Sequence, residues 1–406
     1  MLTSMKILVA NIGSTSFKFC LFSMPAEQIT AKGGMERIGS SEALFQFQAG
    51  SDAVQKSVRP IADYAAALRL AFETLTGARG VLSSLEELAA IGFKPVVAKG
   101  FSGTQELTEE VLGAMEKFNT LAPAHNPPYI QAVRLIRREF PEMPLIGTFE
   151  TAFFDRLAES ATVFAVPREW RDRYGIRRYG YHGASHRFVT ERAAELLQNP
   201  GARLISCHLG GSSSIAAVQA GTAIDSSWAM TPQSGLPHNN RVGDLDAFAL
   251  LYLLKDCGLS LAEVEQKLMK ESGLKGIAGT ASGDLRDILA AREAGSHDAQ
   301  VALDLFVQNI RKYIGQFLAE LNGADAVIFT GGIGENSPLL RSLVCVELDQ
   351  LGIEMDAAAN LAAIRREADI AASGSRVRLL TIPTSEETII AREAYGYLQN
   401  KKERSA

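Results

Sequence analysis

Two distant segments of this chain share one pattern. Residues 7–18 read Ile-Leu-Val-Ala-Asn11-Ile-Gly13-Ser14-Thr15-Ser16-Phe-Lys18, and residues 204–215 read Leu-Ile-Ser-Cys-His208-Leu-Gly210-Gly211-Ser212-Ser213-Ser214-Ile215. Each is an apolar run, a polar residue, a Gly/Ser turn, then a second apolar or β-favouring run. Such a turn presents backbone N–H groups and hydroxyls with no bulky side chain above them, which suits a phosphate. Either turn alone is equally an ordinary tight hairpin. Their likeness to each other points to a duplicated α/β architecture gripping one phosphorylated ligand.

A chain of 406 residues, 47% apolar and 21% charged, accommodates two domains with substantial cores. A net charge of −5 argues against nucleic acid or an anionic membrane as the main partner. Arg171, Arg173, Arg177, Arg178 and Arg187 form a local basic stretch suited to a small anion. No apolar run is long enough to span a membrane, and the first residues lack the tripartite pattern of a secretory leader. Cys20, Cys207, Cys257 and Cys345 are scattered, as in a reduced cytoplasmic protein.

β-rich runs at 5–10 and 17–24 flank the first turn as a hairpin. Apolar spacing predicts helices over 60–78, 105–117, 128–139 and 183–197, with Ser185 or Thr190 as local caps of the last. Strands are expected at 144–147, 203–209, 213–219, 222–227, 327–330 and 378–383. A long helical region, 245–320, is interrupted at Gly258, Gly273, Gly279 and Gly295, and a helix at 386–399 closes the chain. The expected division is 1–150, joined by the closing segment 386–406, and 151–385.

A third glycine-rich turn, Gly331-Gly332-Ile333-Gly334-Glu335-Asn336, follows an apolar strand and would let a backbone approach a nucleotide closely. Five of the six histidines, His125, His182, His186, His208 and His238, fall in one stretch of the chain. His182 and His186 are spaced to share a helix face, but no metalloprotease glutamate lies between them. Imidazoles donating to phosphoryl oxygens fit better than a zinc site. Arg241 stands in a polar loop and could fork onto a phosphate or carboxylate, or lie solvated at the surface. Glu386 and Glu387 follow a strand end and could be helix-dipole partners or hold Mg²⁺, while Glu150 closes a strand, where the functional ends of α/β sheets lie.

At these residues the chain resembles the acetate kinase family, with its propionate and butyrate kinases, within the actin, Hsp70 and sugar-kinase superfamily. The resemblance rests on Asn11–Lys18, Ala122-Pro-Ala-His125-Asn-Pro127, Tyr174–His186, Cys207-His-Leu-Gly210, Arg241–Asp246, Phe329–Pro338 and Pro383-Thr-Ser-Glu386-Glu387. It implies a two-domain fold of duplicated mixed-sheet lobes with a cleft between them. It also implies transfer from ATP to a short-chain carboxylate, reversible as acyl phosphate plus ADP, usually by a homodimer. Carried over by position, Asn11, Ser14, Ser16 and Lys18 line the phosphate side. His208, Gly210, Gly211 and Ser212 flank the nucleotide. Asp284, Leu285, Arg286, Gly331, Gly332, Ile333, Glu335 and Asn336 surround the adenosine. Glu386 and Asn11 would hold Mg²⁺ (or Mn²⁺), and Arg241 would grip the substrate carboxylate. His182 would hydrogen-bond the migrating phosphoryl group, with Glu150 and Lys94 beside the chemistry. Ala124, His125, Tyr181 and Pro232 would shape the acyl pocket. In-line phosphoryl transfer needs positioning and charge neutralisation, and a carboxylate is already a nucleophile at neutral pH.

The chain departs from that pattern at several points. Glu150 replaces the aspartate of Phe-Asp-Thr-Ala-Phe. Where the family has His-Arg-Val-Val-His-Gly-Gly, this chain has Phe93-Lys94-Pro95-Val96-Val97-Ala98-Lys99-Gly100, so Lys94 or Lys99 stands for the arginine and loses its bidentate fork. Gly211-Ser212 replaces Asn-Gly. Ala124 replaces a leucine and Tyr181 a phenylalanine, which predicts an acid larger or more polar than acetate. Three readings follow: an active acyl kinase, a nucleotide-binding relative that lost catalysis, or a phosphotransferase with another acceptor or a pyrophosphate donor.

Overall fold

The computed structural model describes residues 4–405 apart from Ser14 and Ala124. Those two, expected on the phosphate side and in the acyl pocket, lie outside the described residues. The chain divides into two compact units, one running to Ala152 and resuming at Ser385, the other spanning Phe153–Thr384.

The first unit carries β1 (Met5–Ile12), β2 (Ser16–Met24), β3 (Gln28–Glu36), β4 (Ser40–Ala49), β5 (Gln55–Ile61), β6 (Leu88–Phe93), β7 (Thr104–Glu106) and β8 (Leu145–Thr148). They form one sheet in the order β5-β4-β3-β2-β1-β6-β8-β7. β1 to β5 are antiparallel neighbours, whereas β6 and β8 run parallel to β1. The second unit carries β9 (Arg203–His208), β10 (Ser214–Gln219), β11 (Thr222–Ser226), β12 (Ala326–Thr330), β13 (Ala368–Asp369) and β14 (Arg378–Thr381), ordered β11-β10-β9-β12-β14-β13. β10 is antiparallel to β9 and β11, while β12 and β14 run parallel to β9. The series β3-β2-β1-β6-β8 and β11-β10-β9-β12-β14 therefore repeat one another in order and sense. That is the duplication the paired turns imply.

Alternation in the central strands explains the layering. Leu8, Ala10 and Ile12 face one core with Leu68, Val133 and Ile136 from helices Tyr64–Thr76 and Asn126–Glu139. Ile7 and Val9 face the other way, against Ile390, Ala394 and Leu398 of the closing helix Glu386–Ser405. In the second unit Cys207 and Phe329 face Phe306 and Ile310 of helix His297–Glu320. Leu204 and Ile328 face Val189 and Ala193 of helix Gly183–Leu196. Central strands covered on both faces are mostly apolar.

Several expectations need correction. Residues 104–106 are the edge strand β7, and the helix expected from 105 begins at Glu109, where the Thr108 side chain accepts from Val111 N–H. β3, β4, β5 and β6 were not anticipated. The long helical region is interrupted at all four glycines, Gly273 opening the helix that follows its break and Gly258, Gly279 and Gly295 lying between helices. Neither Ser185 nor Thr190 caps helix Gly183–Leu196: Ser185 bonds to His208, and Thr190 donates back to the His186 carbonyl. The basic stretch offers no open anion site, since Arg171, Arg173, Arg178 and Arg187 each pair with an acid and Arg177 lies over Tyr179. Among the described residues no helix is long and apolar enough to cross a membrane.

Candidate functional site

In open α/β sheets ligands bind beyond the carboxyl ends of the strands. In the first unit those ends carry charge. Lys94 follows β6, Glu150 lies just past β8, and Glu386 begins the closing helix. The Lys94 ammonium lies 2.9 Å from Glu150 Oε1 and 2.5 Å from Glu386 Oε2. All three side chains are largely buried, with 13%, 10% and 16% exposure. Burial alone would lower the lysine pKa, but the two carboxylates outweigh it and hold the group well above its usual range. Lys99 is exposed, whereas Lys94 is the lysine that meets the two carboxylates.

Asn11, at the end of β1, accepts a hydrogen bond from the Tyr129 hydroxyl at 3.3 Å, and the Tyr129 hydroxyl oxygen in turn accepts from Ile12 N–H. Sequence reasoning missed Tyr129; a tyrosine in the first turn of an amphipathic helix carries no distinguishing signal. The first turn closes through Gly13 N–H on the Ser16 carbonyl at 2.8 Å. Lys18 points from β2 into solvent, where it lies 3.8 Å from Glu36. His125 starts helix Asn126–Glu139 and is exposed, while the neighbouring Asn126 is buried and donates to the Val97 and Met115 carbonyls.

The second unit is built differently. His182 precedes helix Gly183–Leu196 with a left-handed backbone (φ 56°). Its ring stacks on His208, centroids 4.0 Å apart, and lies 4.2 Å from Trp228. His182 Nδ1 is 2.9 Å from Ser214 Oγ, which is also 2.8 Å from His186 Nε2. His208 Nδ1 lies 2.7 Å from Ser185 Oγ. Both ring nitrogens of His186 are taken by serines, which leaves none for a metal.

Arg241 donates to the Pro232 carbonyl at 2.9 Å and to the Ser212 hydroxyl, which joins its loop to the second Gly/Ser turn. Gly273 holds that loop from below. It has φ +66°, and a Cβ there would lie 2.2 Å from the His238 carbonyl oxygen. Tyr181 is fully buried and its hydroxyl donates to the Met230 carbonyl at 2.5 Å. The hydrogen of that hydroxyl is thus used within the fold.

The third turn is a short helix, Gly331–Asn336. Gly331 has φ +76° and lies against Leu209 backbone, so a Cβ would sit 2.7 Å from the Leu209 oxygen. Glu335 accepts from Gly331 N–H at 3.1 Å and Thr384 N–H at 3.2 Å, tying the turn to the segment after β14. Asn336 donates to the Gly332 carbonyl. Arg341, fully buried, donates to the Gly334 carbonyl from beneath and was missed from sequence. Asp284 caps helix Leu285–Glu293 and pairs with Arg286. Leu285 is a core residue, so only its backbone is available to a ligand.

An acetokinase family model matches residues 6–392. The acetate kinase of Bacillus cytotoxicus is 42% identical over 391 residues, covering 96% of this chain and 98% of the relative. That of Shouchella clausii is 43% identical over 392 residues, with the same coverage. The crystal structure of Porphyromonas gingivalis acetate kinase aligns with a TM-score of 0.86 at 34% identity, covering 97% of this chain and 100% of that one. A propionate kinase from Francisella tularensis aligns with a TM-score of 0.86 at 32% identity, covering 96% and 98%.

Two predictions follow from the charges. Lys94→Met strands two buried carboxylates and should cost about 3–5 kcal/mol of stability in urea titrations, whereas Lys94→Arg, which keeps the charge, should lose far less. A Lys94→Met protein as stable as wild type would refute the clamp.

The second concerns pH. Burial and His208 push His186 well below its ordinary 6.5, and burial and Arg241 push His238 down to about 3. Both are neutral when folded and take up protons on unfolding once the pH drops below about 6.5. Their contribution is therefore complete above that pH and lost below it. Unfolding free energy should fall by about 2 kcal/mol between about pH 6 and about pH 5, and His238→Asn should remove about half of that slope. A flat profile would contradict it.

Proposed function

The chain belongs to the acetokinase family, and we propose that it transfers the terminal phosphoryl group of ATP to a short-chain carboxylate, reversibly giving an acyl phosphate and ADP. The observation that carries this reading is the meeting of Lys94, Glu150 and Glu386 beyond the ends of parallel strands. Such a buried arrangement costs stability to maintain, and a charged substrate gives it a purpose.

Oxygen donors at Glu386 and Asn11 suit a hard divalent cation. Bound with the nucleotide, Mg²⁺ (or Mn²⁺) would neutralise the phosphates, with Glu386 and Asn11 as its protein ligands. Lys94 keeps the two carboxylates from repelling each other and the incoming anion. Asn11, Ser14, Ser16 and Lys18 would attend the phosphate tail. His208, Gly210, Gly211 and Ser212 would flank it. Asp284, Arg286, the Leu285 backbone and the Gly331–Asn336 turn would take the nucleoside. Arg241, its fork oriented by Pro232 and Ser212, would bind the carboxylate and the transferring group. His182 would donate to a phosphoryl oxygen as charge redistributes. The carboxylate attacks without a general base.

Glu150 and Lys94 retain the charges of the residues they replace, which supports an active enzyme over a binding-only relative. The Tyr181 hydroxyl is committed to Met230, so an unsubstituted aliphatic acid is favoured over a hydroxylated one. Hydroxylamine trapping with ATP should yield hydroxamates from acetate, propionate and butyrate, with a longer acid at least matching acetate and hydroxylated analogues trailing. No hydroxamate from any acid while ATP still binds would overturn the kinase reading.

A homodimer is part of the same proposal. Helix Ala247–Lys255 is almost wholly apolar, yet buries none of its residues; Phe248 is 76% and Tyr252 61% exposed. Exposed apolar faces of this kind mark partner surfaces, and a second copy is the partner the family resemblance implies. Light scattering should give a dimer for wild type and a monomer for a Phe248→Glu, Tyr252→Glu variant. Wild type running as a monomer would remove this reading.

A further inference from the structure

The second unit holds a single file of side chains. Ser206 Oγ lies 2.8 Å from His186 Nδ1, His186 Nε2 lies 2.8 Å from Ser214 Oγ, and Ser214 Oγ lies 2.9 Å from His182 Nδ1. Ser206, His186 and Ser214 are completely buried. The sheet explains the spacing. Ser206 stands in β9, Ser214 opens β10 opposite His208, and His186 reaches both from one turn along the helix that His182 precedes.

Only two hydrogen-bond directions are consistent along the file. His186 is neutral, because burial and the neighbouring His208 oppose its protonation, so it carries one N–H. In one direction Ser206 donates to His186 Nδ1, His186 Nε2–H donates to Ser214, and Ser214 donates to His182 Nδ1. Every hydrogen then has an acceptor. In the reverse direction His186 Nδ1–H donates to Ser206, whose own hydrogen must find another acceptor. Among the described residues the Ser206 hydroxyl has no second hydrogen-bond partner. A buried donor left without an acceptor bears its full desolvation cost, so the first direction prevails.

We infer that Ser206, His186 and Ser214 are positioning residues that fix His182 as the Nε2–H tautomer, a neutral donor that does not become a general acid. With Nδ1 held as an acceptor, the proton of the neutral ring resides on Nε2. Protonating His182 would place a second N–H against Ser214 and reverse the whole file, so the relay also opposes the imidazolium. The left-handed backbone at His182 and its packing on His208 and Trp228 hold the ring in register. A neutral imidazole can donate to a phosphoryl oxygen and does not protonate the acyl phosphate, which would make its carboxylate a better leaving group on attack by water. This last use rests on the kinase reading; the tautomer does not.

Imidazole nitrogen NMR on the full-length ¹⁵N-labelled protein at neutral pH tests it directly. His182 and His186 should both appear as Nε2–H tautomers, and an Nδ1–H tautomer at either would overturn the inference. Ser206→Ala should mix the His186 and His182 tautomers and raise the His182 pKa. It should lower kcat for acyl phosphate formation by up to about 100-fold while leaving the KM for ATP near wild type. Ser206→Thr should restore both signals and rate. Unmixed tautomers in a folded Ser206→Ala protein would equally overturn it, and if that variant does not fold the wild-type spectrum decides alone. Expected tautomers with no hydroxamate from any acid would leave the relay standing and remove the kinase. Hydroxamate with the opposite tautomers would do the reverse.

Discussion

The first unit is organised around one buried ammonium. Without Lys94, Glu150 and Glu386 would approach each other in a poorly solvated place, at the ends of strands that are apolar on both faces. Coulomb repulsion is strong there because little water screens it. Lys94 resolves that conflict and makes a structural connection too. Glu386 is the first residue of the closing helix, so the ion pair fastens that helix to the end of β6 at the point where Ile390 and Ala394 begin to cover the sheet. Relieving the repulsion between two acids and joining the last helix to the sheet are therefore served by the same three side chains.

The second unit meets much of its polar problem with neutral groups. His186 and His238 are neutral, and both ring nitrogens of His186 bond to serines of the adjacent strands, so that ring costs little to bury. Arg341 is the exception, a buried guanidinium satisfied by the Asn360 side chain and by the Gly334, Asn360 and Ala363 carbonyls, while Arg241 lies half-buried on a loop held by Gly273 and braced by the Pro232 carbonyl. The two units thus divide the electrostatic labour. One concentrates charge around a lysine; the other presents neutral donors of fixed orientation, and orientation is what a developing transition-state charge rewards.

What was legible in the sequence follows from how local each signal is. The paired turns, the central hairpins and the parallel strands are written in contiguous apolar runs closed by glycine and serine, so they could be read. β5 could not: Gln-Lys-Ser-Val-Arg-Pro-Ile is exposed over all but its last residue, and nothing marks it as a strand except its neighbour β4. β6 is apolar at every position and fits a helix or a strand equally well. Lys94 could be named but not placed, because its partners lie far along the chain. Serines 206 and 214 looked like ordinary strand residues. Their role depends on a histidine that a helix delivers from elsewhere, and no spacing rule encodes that. Arg341 was lost for the same reason, its acceptors being backbone carbonyls that exist only once the turn has folded.

The duplication shows what such a scaffold permits. Asn11 ends β1 and His208 ends β9, each followed by a Gly/Ser turn, and across the sheet Lys94 follows Phe93 where Thr330 follows Phe329. Equivalent places hold a cation in one copy and a hydroxyl in the other. The backbone frame survives because it depends on strand pairing and on the apolar faces, both kept in each copy. Side chains at the strand ends have no core to fill, so they are the cheapest positions to change and the nearest to any ligand. Divergence there, under a conserved frame, lets one copy specialise in opposing charge and the other in fixed hydrogen-bond direction, which a single unduplicated sheet would have to combine at the same few strand ends.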